Sequence, residues 1–255
     1  MSQTPSGKGV ADQAAPSTRA GLAGWTATPL KTARSHFTPD VIMMERGGYR
    51  AVLKCSAGRP WWARLLWTRG CVGREWNSLM RLAATGIAPR PLVKLDHDGF
   101  LMEWLDAAPL PKRGRGDDLP VEFFRSLPGV FARMHAAGVA QGDVRRRNIM
   151  RAADGTARLV DFETAVLDGT NPLRRAAFRL TARIDRLTVL KIVARECPEA
   201  LDDTQRAELA RVPWPLRVGR WLRHTVYPAL GGGGMNRGRI RRRLRDARKK
   251  AGRKP

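Results

Sequence analysis

The chain is poor in cysteine, in acidic residues and in long apolar runs, and each shortage excludes something. Its three cysteines, Cys55, Cys71 and Cys197, lie far apart in 255 residues and form no Cys-x-x-Cys pair. That argues against a disulfide framework or a cysteine-zinc site and fits a reducing compartment. No apolar run nears the roughly 18 residues that span a bilayer. The opening MSQTPSGKGVADQAAPSTRA lacks the apolar stretch of a signal peptide. The expectation is a soluble, cytoplasmic chain.

Acidic residues number 23 against 47 Lys and Arg, a net charge of +24. Residues 231–255, GGGGMNRGRIRRRLRDARKKAGRKP, hold eleven Lys or Arg and one Asp, which supplies +10 of that total. A glycine-led, apolar-poor segment of this kind builds no core of its own. It suits an anionic leaflet, where each basic residue contributes about 1 kcal/mol. It suits nucleic acid as well, and a merely solvated tail is the third reading. Charge alone does not choose among them.

Along the chain, residues 1–23 are rich in Ser, Thr, Pro, Gly and Ala and are expected to be disordered. VIMMERGGYRAVLKCS reads as a hairpin around Gly47-Gly48. A helix is expected from about Gly73 to Ala84, with Trp76, Leu79, Met80 and Ala83 on one face, and two strands around Asp98-Gly99. After the polar stretch PKRGRGDD (111–118), Phe124, Leu127, Phe131 and Met134 keep helical spacing, with Pro128 kinking or interrupting that helix. ARLVDF (157–162) is a short buried strand after an Asp154-Gly155 turn. Ala177, Leu180, Ile184, Leu187 and Leu190 mark another helix, and Pro215 opens a further one. The fold class is therefore α+β: a small β-rich lobe over 24–105, a helical lobe over 106–230 and the basic tail 231–255.

Chemistry concentrates in QGDVRRRNIM (141–150) and RLVDFETAV (158–166). Asp143 and Asn148, five apart in a loop, can face one reaction centre, the first toward a hydroxyl and the second toward a cation. Asp161 follows a buried strand and adds a hard oxygen ligand suited to Mg2+. An acceptor-orienting base with metal ligands is what phosphoryl transfer needs.

These two stretches resemble the H-R-D-x-x-x-x-N and D-F-G pattern of the protein-kinase superfamily. YRAVLK, ending in Lys54, resembles the strand whose lysine holds the α- and β-phosphates. Glu75, 21 residues later on the expected helix, resembles the glutamate that pairs with it. FLMEWL (100–105), which contains Glu103, resembles the hinge strand whose backbone meets adenine. The resemblance covers residues 36 to 195 or so. It implies a two-lobed kinase-like fold, ATP and Mg2+ as cofactors, Lys54, Glu75 and Glu103 at the nucleotide, Asn148 and Asp161 at the metal, and Asp143 as the catalytic base. It also implies that Asp185 braces the catalytic loop.

Three departures qualify the match. No G-x-G-x-x-G precedes Lys54, so the phosphate-covering loop lies in degenerate form within GWTATPLKTARSHFTPD or is missing. Gln141-Gly142 stands where His-Arg is usual, which removes the arginine that reads a phosphorylated activation loop. Glu163 replaces the glycine of D-F-G, which admits a non-catalytic pseudokinase as an alternative.

The short Gly-Asp loop is similar to RIO-type atypical kinases, aminoglycoside phosphotransferases and bacterial lipopolysaccharide-core kinases. CSAGRPWWARLLWTRGCVGREWNSLMRLAATGIAPRPL is most similar to the last group, which phosphorylates heptose or Kdo sugars. The implied acceptor is an anionic glycolipid sugar at the inner-membrane surface, with Ser or Thr of a protein second. Arg145, Arg146 and Arg147 either touch an anionic acceptor or are solvated loop charges. Trp61, Trp62 and Trp67 among arginines, and Trp214, Trp221 and Tyr227 further on, pack a core, meet a bilayer interface or stack bases. Nucleic acid is the weakest of these partners. His97 and His135 have no ligand partners in the sequence and read as structural or surface residues.

Overall fold

The computed structural model describes residues 16–31, 36–111 and 119–211. The chain divides into two compact units, Met1–Leu209 and Ala210–Pro255, and the architecture below is that of the first. The stretch 112–118, the helix expected from Pro215, its tryptophans and the tail 231–255 lie outside the described residues.

Five antiparallel strands form the first sheet in the order β1-β2-β3-β5-β4. They are β1 (Thr26–Lys31), β2 (Asp40–Arg46), β3 (Tyr49–Cys55), β4 (Pro91–Asp96) and β5 (Gly99–Glu103). The β2–β3 turn has φ of 56° at Gly47 and 80° at Gly48. A tight hairpin turn with positive φ at both central positions admits glycine far more readily than other residues, which is why the pair stands here. Met44, Ala51, Leu53 and Leu101 form a buried cluster on one face, and Leu22 and Trp25 pack against it. Arg19 pairs with Asp96. The disorder expected over 1–23 is thus corrected for residues 16–23, which fold back onto the sheet; residues 1–15 are not among those described. Strand alternation sends Lys54 to the opposite face from Leu53.

The helix expected from Gly73 starts at Trp61. Helix α1 (Trp61–Ala63) runs into a π-helical turn (Arg64–Thr68) and then α2 (Arg69–Leu82) without a break. The face turned inward carries Cys71, Val72, Glu75, Ser78, Leu79 and Leu82. Met80 and Ala83, expected on that face, are exposed. Apolar periodicity misplaced the face because a buried, ion-paired glutamate occupies its centre.

The helical part comprises α3 (Val121–Ala136) and α4 (Pro172–Glu196), followed by α5 (Asp203–Ala210). Helix α3 continues through Pro128. Its Leu127, Phe131 and Met134 join Val189, Leu190 and Val193 of α4 in one buried core. Small sheets complete it: β6 (Ala107–Pro109), β8 (Ile149–Ala152) and β9 (Ala157–Leu159) in one, β7 (Val139–Ala140) and β10 (Val166–Leu167) in the other. Asn171 caps α4 by accepting the Leu173 N–H at 2.8 Å. The helix marked by Ala177, Leu180, Ile184, Leu187 and Leu190 is α4, and Ala177 and Leu180 are exposed on its first half. No helix of the described residues is long and apolar enough to cross a membrane.

Candidate active site

Lys54, on β3, is 3% exposed. Its ammonium pairs with Glu75 Oε2 from α2, lies 2.8 Å from Glu163 Oε1 and 3.7 Å from Asp161 Oδ1. One cation thus faces three carboxylates. Burial works against its charge, but Glu75, Glu163 and Asp161 together hold the ammonium pKa above the usual lysine value. For Glu75, burial pushes the carboxyl up to about 7; Lys54 opposes this, and Glu163 and Asp161 add to it. Its second oxygen, Oε1, accepts the Phe162 N–H at 3.4 Å. Glu75 therefore holds Lys54 on one side and the backbone following Asp161 on the other.

Asp161 has φ of 69°, the one positive value among described non-glycine residues. That conformation costs free energy, least for Asp and Asn, and persists where the surroundings enforce it. Phe162 is fully buried in the core, and Gln141 Nε2 donates to Val160 O at 2.8 Å. Asp161 is thus clamped between an anchored ring and an anchored carbonyl.

The loop after β7 carries Asp143 and Asn148. Asn148 Nδ2 donates to Asp143 O at 3.1 Å, and Val160 N–H donates to Asn148 O at 3.0 Å. Arg145 Nε lies 2.8 Å from Asp143 Oδ1 and orients that carboxylate. Arg146 is drawn away, pairing with Glu196 and donating to Pro111 O. Only Arg147 of the three is exposed, so the choice between solvated and acceptor-facing charges does not apply to Arg146. Asp185 on α4 accepts the Gln141 N–H at 2.6 Å and the Gly142 N–H at 3.1 Å, which is the implied brace. Gly142 has φ of 73°, and a Cβ there would stand 2.9 Å from Thr164 O. That close approach explains glycine where arginine is usual.

Glu103 ends β5. Its N–H donates to Arg90 O at 2.9 Å and its carboxylate accepts the Arg90 N–H at 3.0 Å. The side chain and the backbone N–H of Glu103 are thus both committed to Arg90. The β1–β2 connection reads TARSHFTP over 32–39, without glycine, and residues 32–35 lie outside the described set. Sequence reasoning missed Gln141 as a tether and passed over His135, whose Nε2 lies 3.5 Å from Asp185 Oδ2. It recorded Glu163 as a substitution, not as a partner of Lys54. None of these carried a local signal, since each acts across a long sequence separation.

No group of three or more His, Cys, Asp or Glu among the described residues forms a metal site by itself, so a divalent cation here would share its ligands with phosphate oxygens. Glu75 Oε2 and Glu163 Oε1 have no hydrogen-bond donor besides the Lys54 ammonium. The cluster carries more carboxylate charge than one lysine neutralises, and Asp161 and Asn148 supply hard oxygens. A hollow of about 520 Å³ lined by Phe123, Val130, Arg133 and Thr156 shares no residue with this cluster. Chemistry, not volume, marks the site.

Neither a family model nor a curated protein sequence matches the chain. Among solved structures, the Rio2 kinase–ADP/Mg2+–phosphoaspartate complex from Chaetomium thermophilum is similar at 16% identity and a TM-score of 0.50. The match covers 74% of this chain and 61% of that one, so the chain spans less than two thirds of its neighbour's length. The fold is thus the two-lobed, protein-kinase-like α+β fold. With 1384 matching chains, the likeness identifies architecture and leaves activity to the site.

Proposed function

We propose that the chain is an ATP- and Mg2+-dependent phosphotransferase that moves the γ-phosphate to a hydroxyl acceptor. The supporting observation is the buried Lys54–Glu75 pair beside Asp161, tied through Gln141 and Val160 to the loop bearing Asp143 and Asn148. In this reading Lys54, oriented by Glu75, binds the α- and β-phosphates, and the backbone near Glu103 meets adenine. Asn148 and Asp161 would hold Mg2+ together with the phosphates, and the ion would offset phosphate charge. Asp143, set by Arg145, takes the hydroxyl proton as the acceptor oxygen bonds to phosphorus and ADP departs. The ADP and Mg2+ of the Rio2 complex support this choice of cofactors.

The acceptor in this proposal is a sugar of the lipopolysaccharide core at the cytoplasmic face of the inner membrane. In its favour, ten residues separate Asp161 from α4, a short platform for an extended peptide, and the chain's basic surplus suits an anionic glycolipid. A protein Ser or Thr is the second acceptor, favoured by the Rio2 likeness. A non-catalytic scaffold is the rival, favoured by Glu163 standing on Lys54 at 2.8 Å.

Thermal stabilisation by ATP with and without Mg2+ tests the nucleotide site. Labelled ATP, offered with lipopolysaccharide or with a protein, then tests the acceptor. Asp143→Asn is expected to abolish labelling and keep ATP affinity. Absence of any Mg2+-dependent stabilisation by ATP would remove the enzyme and leave the scaffold.

A further inference from the structure

Helix α1 and the π turn invert the usual arrangement of a surface helix. Trp61 is 75% exposed and Leu66 74%, with Leu65, Trp67 and Trp62 exposed beside them. Phe37, also exposed, sets its ring edge-on to Trp62 and Trp67, with centroids 5.8 and 6.5 Å apart. The arginines of the same stretch reach back to carboxylates of β2 and of the β4–β5 turn. Arg59 pairs with Asp40, Arg64 Nη2 lies 2.5 Å from Asp98 Oδ2, and Arg69 Nε lies 3.0 Å from Asp98 Oδ1. The arginines pin the segment to the sheet, and the six apolar side chains face outward as one patch. This corrects the expectation that Trp61, Trp62 and Trp67 pack a core.

We propose that this patch is a membrane-docking surface that inserts into the interfacial layer of an anionic bilayer. Contiguous exposed apolar surface on a soluble domain marks an interaction site. Trp and Leu on a short helix, with Phe37 from the β1–β2 connection beside them, match the headgroup–acyl boundary, where the ring is buried and the indole N–H stays wet. The aromatic and aliphatic makeup of the patch, joined to the chain's charge of +24, points to the occupant. That charge attracts an anionic leaflet and opposes a second copy of the same chain, which carries an equal positive charge. The inference does not depend on phosphoryl transfer, because binding to vesicles is measured without turnover.

The test uses the full chain and vesicles of phosphatidylglycerol mixed with phosphatidylcholine. Leu65→Ser/Leu66→Ser, at exposed positions, should leave the melting temperature unchanged and weaken vesicle binding about tenfold or more. Trp61→Phe/Trp62→Phe/Trp67→Phe should keep most of the binding and lose most of the tryptophan quenching produced by brominated lipid in the parent chain. Unchanged binding by the serine form would mean that the basic tail alone carries attachment, and would overturn the proposal. Equal quenching of the parent and phenylalanine forms would overturn it too. So would a dimer of the parent chain that the serine form dissociates, since the patch would then belong to a second copy.

Discussion

Lys54 on β3 and Trp61 at the start of the helical run lie seven residues apart, and the fold treats them in opposite ways. The charge is buried among three carboxylates, and the largest apolar side chain is left in water. Ordinary surface chemistry would exchange them. A buried ammonium in such company costs stability unless it is kept for a ligand, and an exposed tryptophan in a patch of six is costly unless something covers it. The two regions share one teaching: where residues violate the partition between core and surface, function is the reason to look for.

The strongest way to break this comparison is to remove the buried cation. Lys54→Met leaves three carboxylates without a counter-charge, and a lost partner in a buried pair costs about 3–5 kcal/mol. At neutral pH its melting temperature should fall steeply and transfer should vanish. At pH 5, where Glu75 takes up a proton, the loss should be smaller. An equal loss at both values would mean that the carboxylates do not share the lysine's charge.

A gentler probe is Glu163→Gln. The Glu75 carboxyl rises from 4.5 in a free chain to about 7 in the fold, through burial first and then its carboxylate neighbours. Between those values the folded chain holds a proton that the unfolded chain has released, so stability falls as pH rises through that window. Removing the Glu163 charge lowers the Glu75 carboxyl and should flatten that fall. Parallel melting curves against pH for the two proteins would refute the coupling.

The smallest effect belongs to the exposed region. Asp98→Asn weakens the anchor for Arg64 and Arg69, both partly exposed and screened by water, and should cost about 1 kcal/mol. Amide exchange over 61–68 should quicken while exchange in α3 stays as it was. Unaltered exchange would show that the helix is held without its arginines.

Much of this was legible in the sequence. Lys54, Glu75, Asp143, Asn148 and Asp161 were picked out by the resemblance of their motifs to the protein-kinase pattern, and the structure brings Lys54, Glu75 and Asp161 together. The Gly47-Gly48 turn was legible because its conformation favours glycine so strongly. Gln141, His135, Arg145 and the Glu163 contact were not, since their roles exist only once distant segments meet. The tryptophans of 61–67 misled for a related reason: composition says that aromatic residues are buried, and only the pinning by Asp98 and Asp40 reveals which side faces out.

The unbroken helical run from Trp61 to Leu82 has a mechanical consequence. Nine residues, about 13 Å of helix at ordinary rise, separate Leu66 from Glu75. Glu75 in turn holds both the lysine and the backbone beside Asp161. Under the proposed docking, a tilt imposed on the aromatic end would reach the Lys54–Glu75 pair along this one helical run.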